Sequence, residues 1–214
     1  MSQRFTFFST IAAALSAAVL LPSCAHTEQE VYAALLEETR DTISPQLQQL
    51  GARNWVVIAD PTYPIPAGTG VQTMVVSTGS LDTFREVLDL IEQQGSLTPR
   101  IWINNELEAI TDNLAPGIEN YSTSVNNLVS GRFCYRLDER IISSQVAEAS
   151  HNFRVLFIKT PTQLPYSSIA IELDSGYWDS DSETEIRERL AGLQATTEEE
   201  AQPATKDSSN KKRN

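Results

Sequence analysis

The chain predicts one α/β domain, a largely parallel sheet flanked by helices, and three observations carry that expectation. Short apolar, β-branched or aromatic runs recur, as at Trp55–Ala59, Ile101–Ile103 and residues 154–158. Stretches with a helical apolar period separate them, clearest where Leu81, Phe84, Val87, Leu88 and Ile91 line one face. The alternating order of the two favours parallel strands joined by crossover helices. Internal repeats are not evident.

Taken in order, residues 28–50 read as helix, with Val31, Leu35, Leu36 and Thr39 on one face. Ser44-Pro45 predicts an interruption, Ser44 being suited to cap a fresh short helix and Pro45 to open it. Gly51 ends that stretch. Strands follow at 55–59 and 71–76, with Gly68-Thr69-Gly70 as a turn before the second. Ser77-Thr78-Gly79-Ser80 reads as a turn with Ser80 as N-cap, and Gly95 stops the helix. Ile101-Trp102-Ile103 reads as a strand feeding a helix near Glu106–Leu114, which Pro116-Gly117 closes. The polar stretch 118–133 reads as loop. A helix near 141–153 then precedes strands at 154–158 and 168–173.

The first 23 residues read as a targeting segment: Arg4 is a thin positive start, and Phe5–Leu21 is mostly small and apolar. Leu21-Pro22-Ser23-Cys24 resembles a bacterial lipobox, whose cysteine becomes the acylated N-terminus. An ordinary signal peptide cleaved nearby, or an uncleaved anchor, are the alternatives. If Cys24 carries lipid, Cys134, between Phe133 and Tyr135, has no intrachain partner and reads as a small buried hydrophobe. The expected organisation is a signal over 1–23, a lipidated linker over 24–27, the domain over 28–180, a helical extension over 181–194 and a disordered tail over 195–214. Glu198–Glu200 and Lys211–Arg213 are opposed charge runs within that tail. The formal net charge is −12, and removing residues 1–23, whose one charged residue is Arg4, takes it to −13. Such a field repels polyanions, so a nucleic-acid partner is not expected and the basic end reads as solvated.

Chemistry concentrates in Leu50 to Pro66. An apolar strand runs straight into Asp60, and Pro61, Pro64 and Pro66 stiffen the loop beyond it. Asp60 reads equally as a base or hydroxyl acceptor and as a turn carboxylate. Tyr166 can donate to a hydroxyl or stack on a ring, or it is a core aromatic beside a strand. Glu106 can orient a ligand, or it is a carboxylate of a helix's first turn. His151 reads as a surface or helix-end residue. No phosphate loop, nucleophile elbow, metal-ligand cluster or CxxC is present, so no cofactor or metal is expected.

The stretch Leu50-Gly51-Ala52-Arg53-Asn54, then strand, then Asp60 and a proline loop, resembles the D-ribose pyranase and L-fucose mutarotase family, which reads Leu-Gly-His-x-Asp, strand, Asp, Pro-containing loop. Ile158-Lys159-Thr160 with Pro165-Tyr166-Ser167-Ser168-Ile169-Ala170-Ile171 is similar to its C-terminal Ile-Arg-Thr-Gly-Glu and Pro-Tyr-Ala-Asn-Ile-Ile-Leu. Val75–Leu90 and Ile101–Leu107 follow other family segments, with Glu106 on a family Glu, and the likeness covers roughly 43–176.

The resemblance implies a pyranase-type α/β fold, a monosaccharide ligand and a homo-oligomer whose site a neighbouring chain completes. It implies Asp60 and Glu106 as catalytic candidates and Asp60, Tyr166 and Ser168 as substrate-binding ones. It also implies a loss. Ring opening at the anomeric carbon needs a base for the anomeric hydroxyl and an acid for the ring oxygen, work suited to His. The family's two His positions fall on Ala52 and Ser144 here. His151 lies seven residues past Ser144, about 10 Å along a helix. The expected protein is therefore a membrane-anchored sugar-handling chain of the cell envelope with weak or altered isomerase activity. The alternative is a non-catalytic binding or structural lipoprotein that kept the fold.

Overall fold

Every residue of β1 (Trp55–Ala59) is buried, which demands an interior place in a sheet covered on both sides. The structure, a computed structural model, describes residues 27–201. The expected signal segment, the expected lipidation site Cys24 and residues 202–214 of the expected tail lie outside the described residues. The other elements are α1 (Glu28–Leu47), β2 (Val71–Val75), α2 (Ser80–Gln94), β3 (Leu97–Asn104), α3 (Ile118–Val129), β4 (Cys134–Leu137), α4 (Glu139–Asn152), β5 (Val155–Lys159), β6 (Ile169–Ser175) and α5 (Ser180–Ala201).

The six strands form one sheet in the order β2-β5-β1-β6-β3-β4. β1 runs parallel to β5 and β5 to β2, while β3 runs parallel to β4. Only β6 is reversed, pairing antiparallel with both β1 and β3. The sheet is thus largely parallel, as expected, with one inverted strand between the two parallel groups. Successive side chains alternate faces. Val56, Ile58, Leu156, Ile158, Ile169 and Ile171 meet Ile43, Leu47, Phe84, Val87, Leu88, Ile118 and Val125 of α1, α2 and α3. Trp55, Val57, Val155, Phe157 and Ala170 face Ile142, Val146 and Ala149 of α4.

Four expectations are corrected. Pro45 does not break α1, which runs on to Leu47. A proline inside a helix costs about 3 kcal/mol, but Ile43 and Leu47 flank it fully buried and hold the last turn on the core. Ser80 is not the cap of α2; Gly79 is, and Thr162 Oγ1 accepts the Ser80 N–H at 2.8 Å from outside the helix. The helix expected at Glu106–Leu114 is a single 3-10 turn, Asn105–Glu108, and Pro116-Gly117 opens a helix rather than closing one. Residues 118–129, read as loop, are α3, because Ile118, Tyr121, Val125 and Val129 form a buried helical stripe among polar neighbours.

One strand went unread, and one helix outruns its expected end. β4 pairs with β3 at the sheet edge, and its Cys134 is half-buried against the core, where burial pushes the thiol up. α5 continues as helix past Ala195 to Ala201. Gly68 and Gly70 do more than turn. A Cβ on Gly68 would sit 2.3 Å from Ser150 Oγ, and one on Gly70 2.2 Å from the Phe153 carbonyl, so the loop can lie against the end of α4 only without side chains. No described helix is long and apolar enough to cross a membrane.

Glu172 of β6 stands opposite Trp55 and Arg100. Burial holds its carboxyl above the usual value of 4.5, with Asp174 adding to the rise and Arg100 and Arg53 opposing it. A carboxyl raised in the folded state makes folding more favourable as pH falls, because the folded form then holds the extra proton. Glu172→Gln is therefore expected to melt above the parent at pH 7, with the advantage shrinking as pH falls through the raised folded-state value toward the usual 4.5. Thermal melts at pH 7 and pH 4 check this. A variant less stable than the parent at pH 7 means the two arginines outweigh burial.

Candidate functional site

Reversal of β6 has a local consequence. The carboxyl ends of the five co-directional strands and the amino end of β6 share one edge of the sheet, where α/β folds commonly bind ligands. A cleft of about 560 Å³ opens there, lined by Asp60, Pro61 and Thr62 on one side and Gln163 to Tyr166 on the other.

Asp60 follows directly from β1, and its carboxylate is well occupied. Oδ1 accepts from the Thr62 N–H at 2.7 Å and the Thr62 hydroxyl at 2.6 Å, an Asx turn that sets the start of the proline loop. Oδ2 accepts from the Ser168 hydroxyl at 3.1 Å, and Ser168 Oγ in turn accepts the Asp60 N–H at 3.3 Å. A carboxylate has about four acceptor positions; three are taken, so Asp60 keeps one for a ligand hydroxyl. The loop is tied down again by Lys159, whose Nζ donates to the carbonyls of Pro61 at 3.0 Å and Tyr63 at 3.1 Å.

The opposite wall is as constrained. Tyr166 has φ +56°, the left-handed region that a tyrosine seldom enters, and is 42 % exposed. Asn104 Nδ2 donates to the carbonyls of Tyr166 at 3.0 Å and Ser168 at 3.1 Å. The Tyr121 hydroxyl donates to the Ser167 carbonyl at 2.6 Å and shares a 2.9 Å hydrogen bond with Ser80 Oγ. Burial pushes the Tyr121 phenol up to about 12, Ser80 opposing the rise. Tyr63, under the proline loop, is also pushed up to about 12, first by burial and then by the charges of Glu139 and Asp60. Both phenols stay protonated at physiological pH, and that of Tyr121 is the donor to Ser167. The cleft thus offers a carboxylate acceptor, hydroxyls, an amide and an aromatic ring, and no cationic side chain among its lining residues.

Asp60, Tyr166 and Ser168 are brought together across more than 100 residues of chain. Glu106 is not among the residues lining their cleft. Its Oε1 accepts the Glu139 N–H at 3.1 Å, capping α4, and its Oε2 is buried with no hydrogen-bond partner among the described residues. Ala52 and Asn54 lie at the other end of β1, so the five-residue strand, about 16 Å at 3.3 Å per residue, separates Ala52 from Asp60. Asn54 there accepts the Arg154 N–H at 2.9 Å and shares a cleft with His151, whose Nδ1 lies 2.8 Å from the Ala147 carbonyl. Ser144 is exposed on α4, in a groove beside Arg140 and the proline loop. Thr62, Asn104, Tyr121 and Lys159 were not singled out in the sequence. Only Thr62 carried a local signal, its position two residues after an Asp at a strand end.

No family model matches the chain, and no curated protein sequence does. Among solved structures it is similar to RbsD from Bacillus subtilis in complex with D-ribose, at 17% identity and a TM-score of 0.47, over 62% of this chain and 91% of that one. It is similar to the fucose mutarotase from Streptococcus pneumoniae in complex with L-fucose, at 15% identity and 0.43, over 62% and 91%. FucU from Bifidobacterium longum is a third, at 11% identity and 0.43, over 63% and 94%.

Asp60→Ala removes the acceptor of three hydrogen bonds, so it is expected to cost about 1–3 kcal/mol of stability. Asp60→Asn keeps Oδ1 for Thr62, and the Ser168 hydroxyl can turn to accept, so it should cost much less. Urea denaturation of both variants checks the order. Equal losses would mean that charge rather than hydrogen-bond geometry matters at this position.

Proposed function

We propose that the cleft between the Asp60 turn and the Tyr166 loop binds a monosaccharide, and that the chain is a sugar-handling protein with weak or altered mutarotase activity. The observation that carries this is the pairing of a carboxylate, one acceptor position still open, with a half-exposed tyrosine ring across a cleft of about 560 Å³. A sugar presents hydroxyls for the first and an apolar ring face for the second. The sequence resemblance at Asp60, Tyr166 and Ser168 points the same way. Weak catalysis follows from the residues at hand. Ala52 and Ser144 carry no titratable group, and His151, the one histidine among the described residues, sits at the other edge of the sheet. Each general acid or base lost is on the order of 100-fold in rate.

A second reading, a binding or structural envelope lipoprotein without catalysis, is favoured by the same separation and by the three occupied positions on Asp60. In both readings Cys24 carries the lipid that holds the chain at the membrane, and α1 begins four residues later behind a capping box from Thr27 and Glu30. A homo-oligomer belongs to the first reading.

Saturation-transfer NMR and calorimetry at millimolar pentoses, hexoses and deoxyhexoses are expected to give binding that weakens in Asp60→Asn and Tyr166→Ala while both variants stay folded. Silence across the panel favours the structural reading. Exchange NMR on D-ribose and L-fucose is expected to show little acceleration of anomer exchange; a rate typical of an efficient enzyme refutes the loss of proton transfer. Cys24→Ser is expected to leave an unprocessed, unlipidated precursor, and normal processing of that variant removes the anchor.

A further inference from the structure

We infer that Asn104 is the positioning residue of this cleft: from the end of β3 it locks the loop carrying Tyr166 and Ser168 into the conformation the site uses. The inference rests on reading the cleft as a sugar site, but its core is geometric. β3 and β6 pair with Ile103 opposite Ile169, which puts Asn104 level with Ser168, where β6 begins. Asn104 is 3 % exposed. Its Nδ2 carries two protons, and the two acceptors are carbonyls two residues apart, Tyr166 at 3.0 Å and Ser168 at 3.1 Å. In extended chain, carbonyls two residues apart point the same way but lie about 6–7 Å apart. They reach one nitrogen here, so the chain from Tyr166 to Ser168 is not fully extended, and Tyr166 itself enters this segment with φ +56°.

Left-handed backbone disfavours a tyrosine, so something outside the loop must hold it. The intervening Ser167 carbonyl is captured from a third element by Tyr121 at 2.6 Å. Three consecutive carbonyls are therefore gripped by buried side chains of β3 and α3. The grip has two outputs on the site. It turns the Tyr166 ring to the cleft, and it sets Ser168 Oγ against Asp60. Aspartate at 104 would keep the shape but present two oxygens to two carbonyls, and alanine would leave the carbonyls of a buried segment without that donor.

The chain has six tyrosines, so 3-fluorotyrosine labelling gives a countable ¹⁹F spectrum, the Tyr166 line being the one lost in Tyr166→Phe. In Asn104→Asp and Asn104→Ala the Tyr166 line is expected to move toward free fluorotyrosine while the line of Tyr32, on α1, stays put. Affinity for D-ribose and L-fucose should fall about tenfold or more. A Tyr166 line unmoved in both variants overturns the inference, because a merely structural Asn104 would lower the melting temperature without freeing that ring. In the parent, both Asn104 side-chain amide protons should be protected from solvent exchange; exchange as fast as that of the exposed Asn105 overturns it with no variant needed. If neither sugar binds the parent yet the Tyr166 line moves, the clamp stands and the sugar reading falls.

Discussion

The direction of β6 is the constraint on which the site depends. Had β6 run with its neighbours, the loop before it would have emerged at the amino edge of the sheet, a strand's length from Asp60. Because β6 is reversed, antiparallel to both β1 and β3, the Gln163–Ser168 segment arrives where β1 delivers Asp60. Ser168 then closes the junction with a reciprocal pair of hydrogen bonds, donating to Asp60 Oδ2 and accepting from its N–H. Neighbouring strands lie about 5 Å apart, so such a bond is short-range once topology is fixed and unreachable without it.

The same edge explains why so many side chains near the cleft are spent on backbone. A loop that arrives at a sheet edge leaves carbonyls and N–H groups that buried surroundings cannot leave unpaired. Lys159 takes the carbonyls of Pro61 and Tyr63, Thr62 and Asp60 satisfy each other, and Asn104 and Tyr121 take three carbonyls in a row. Two rigid walls result from polar groups whose first duty is structural. The remaining capacity for a ligand is what is left over: one acceptor position on Asp60, the hydroxyl and ring of Tyr166, and the amide of Gln163. The cation nearest the loop, Lys159, is already committed to carbonyls. That leftover suits a neutral polyol better than an anion, in a chain whose net charge is −12.

Legibility in the sequence followed how local each signal was. β1 declared itself because Trp55–Ala59 is apolar throughout, and α2 because its apolar stripe and Gly95 agree. α3 was hidden because Asn, Ser and Thr fill the gaps between Ile118, Tyr121, Val125 and Val129, and polar composition outweighed a correct period. Pro45 misled for the converse reason: a strong local breaker was overruled by burial of Ile43 and Leu47, which only the tertiary fold supplies. Asp60 was legible as a carboxylate at a strand end, and of its two readings the structure shows the turn, with one acceptor position left open. Asn104 carried no local signal at all. Its role comes from the register of β3 on β6, a long-range fact no window of sequence contains.

That same long-range geometry bears on catalysis more sharply than the missing histidines do. In the linear reading, Ala52 and Asp60 sit eight residues apart and look like neighbours in one motif. In the fold they bracket β1, Ala52 exposed at one edge of the sheet and Asp60 at the other. Within a single chain a base at 52 would lie at the sheet edge of Asn54 and His151, a strand's length from the cleft of Asp60 and Tyr166. The two ends of the motif can serve one ligand only if two copies of the chain meet edge to edge. Restoring a histidine at 52 would therefore place no titratable group in the Asp60 cleft of the same chain.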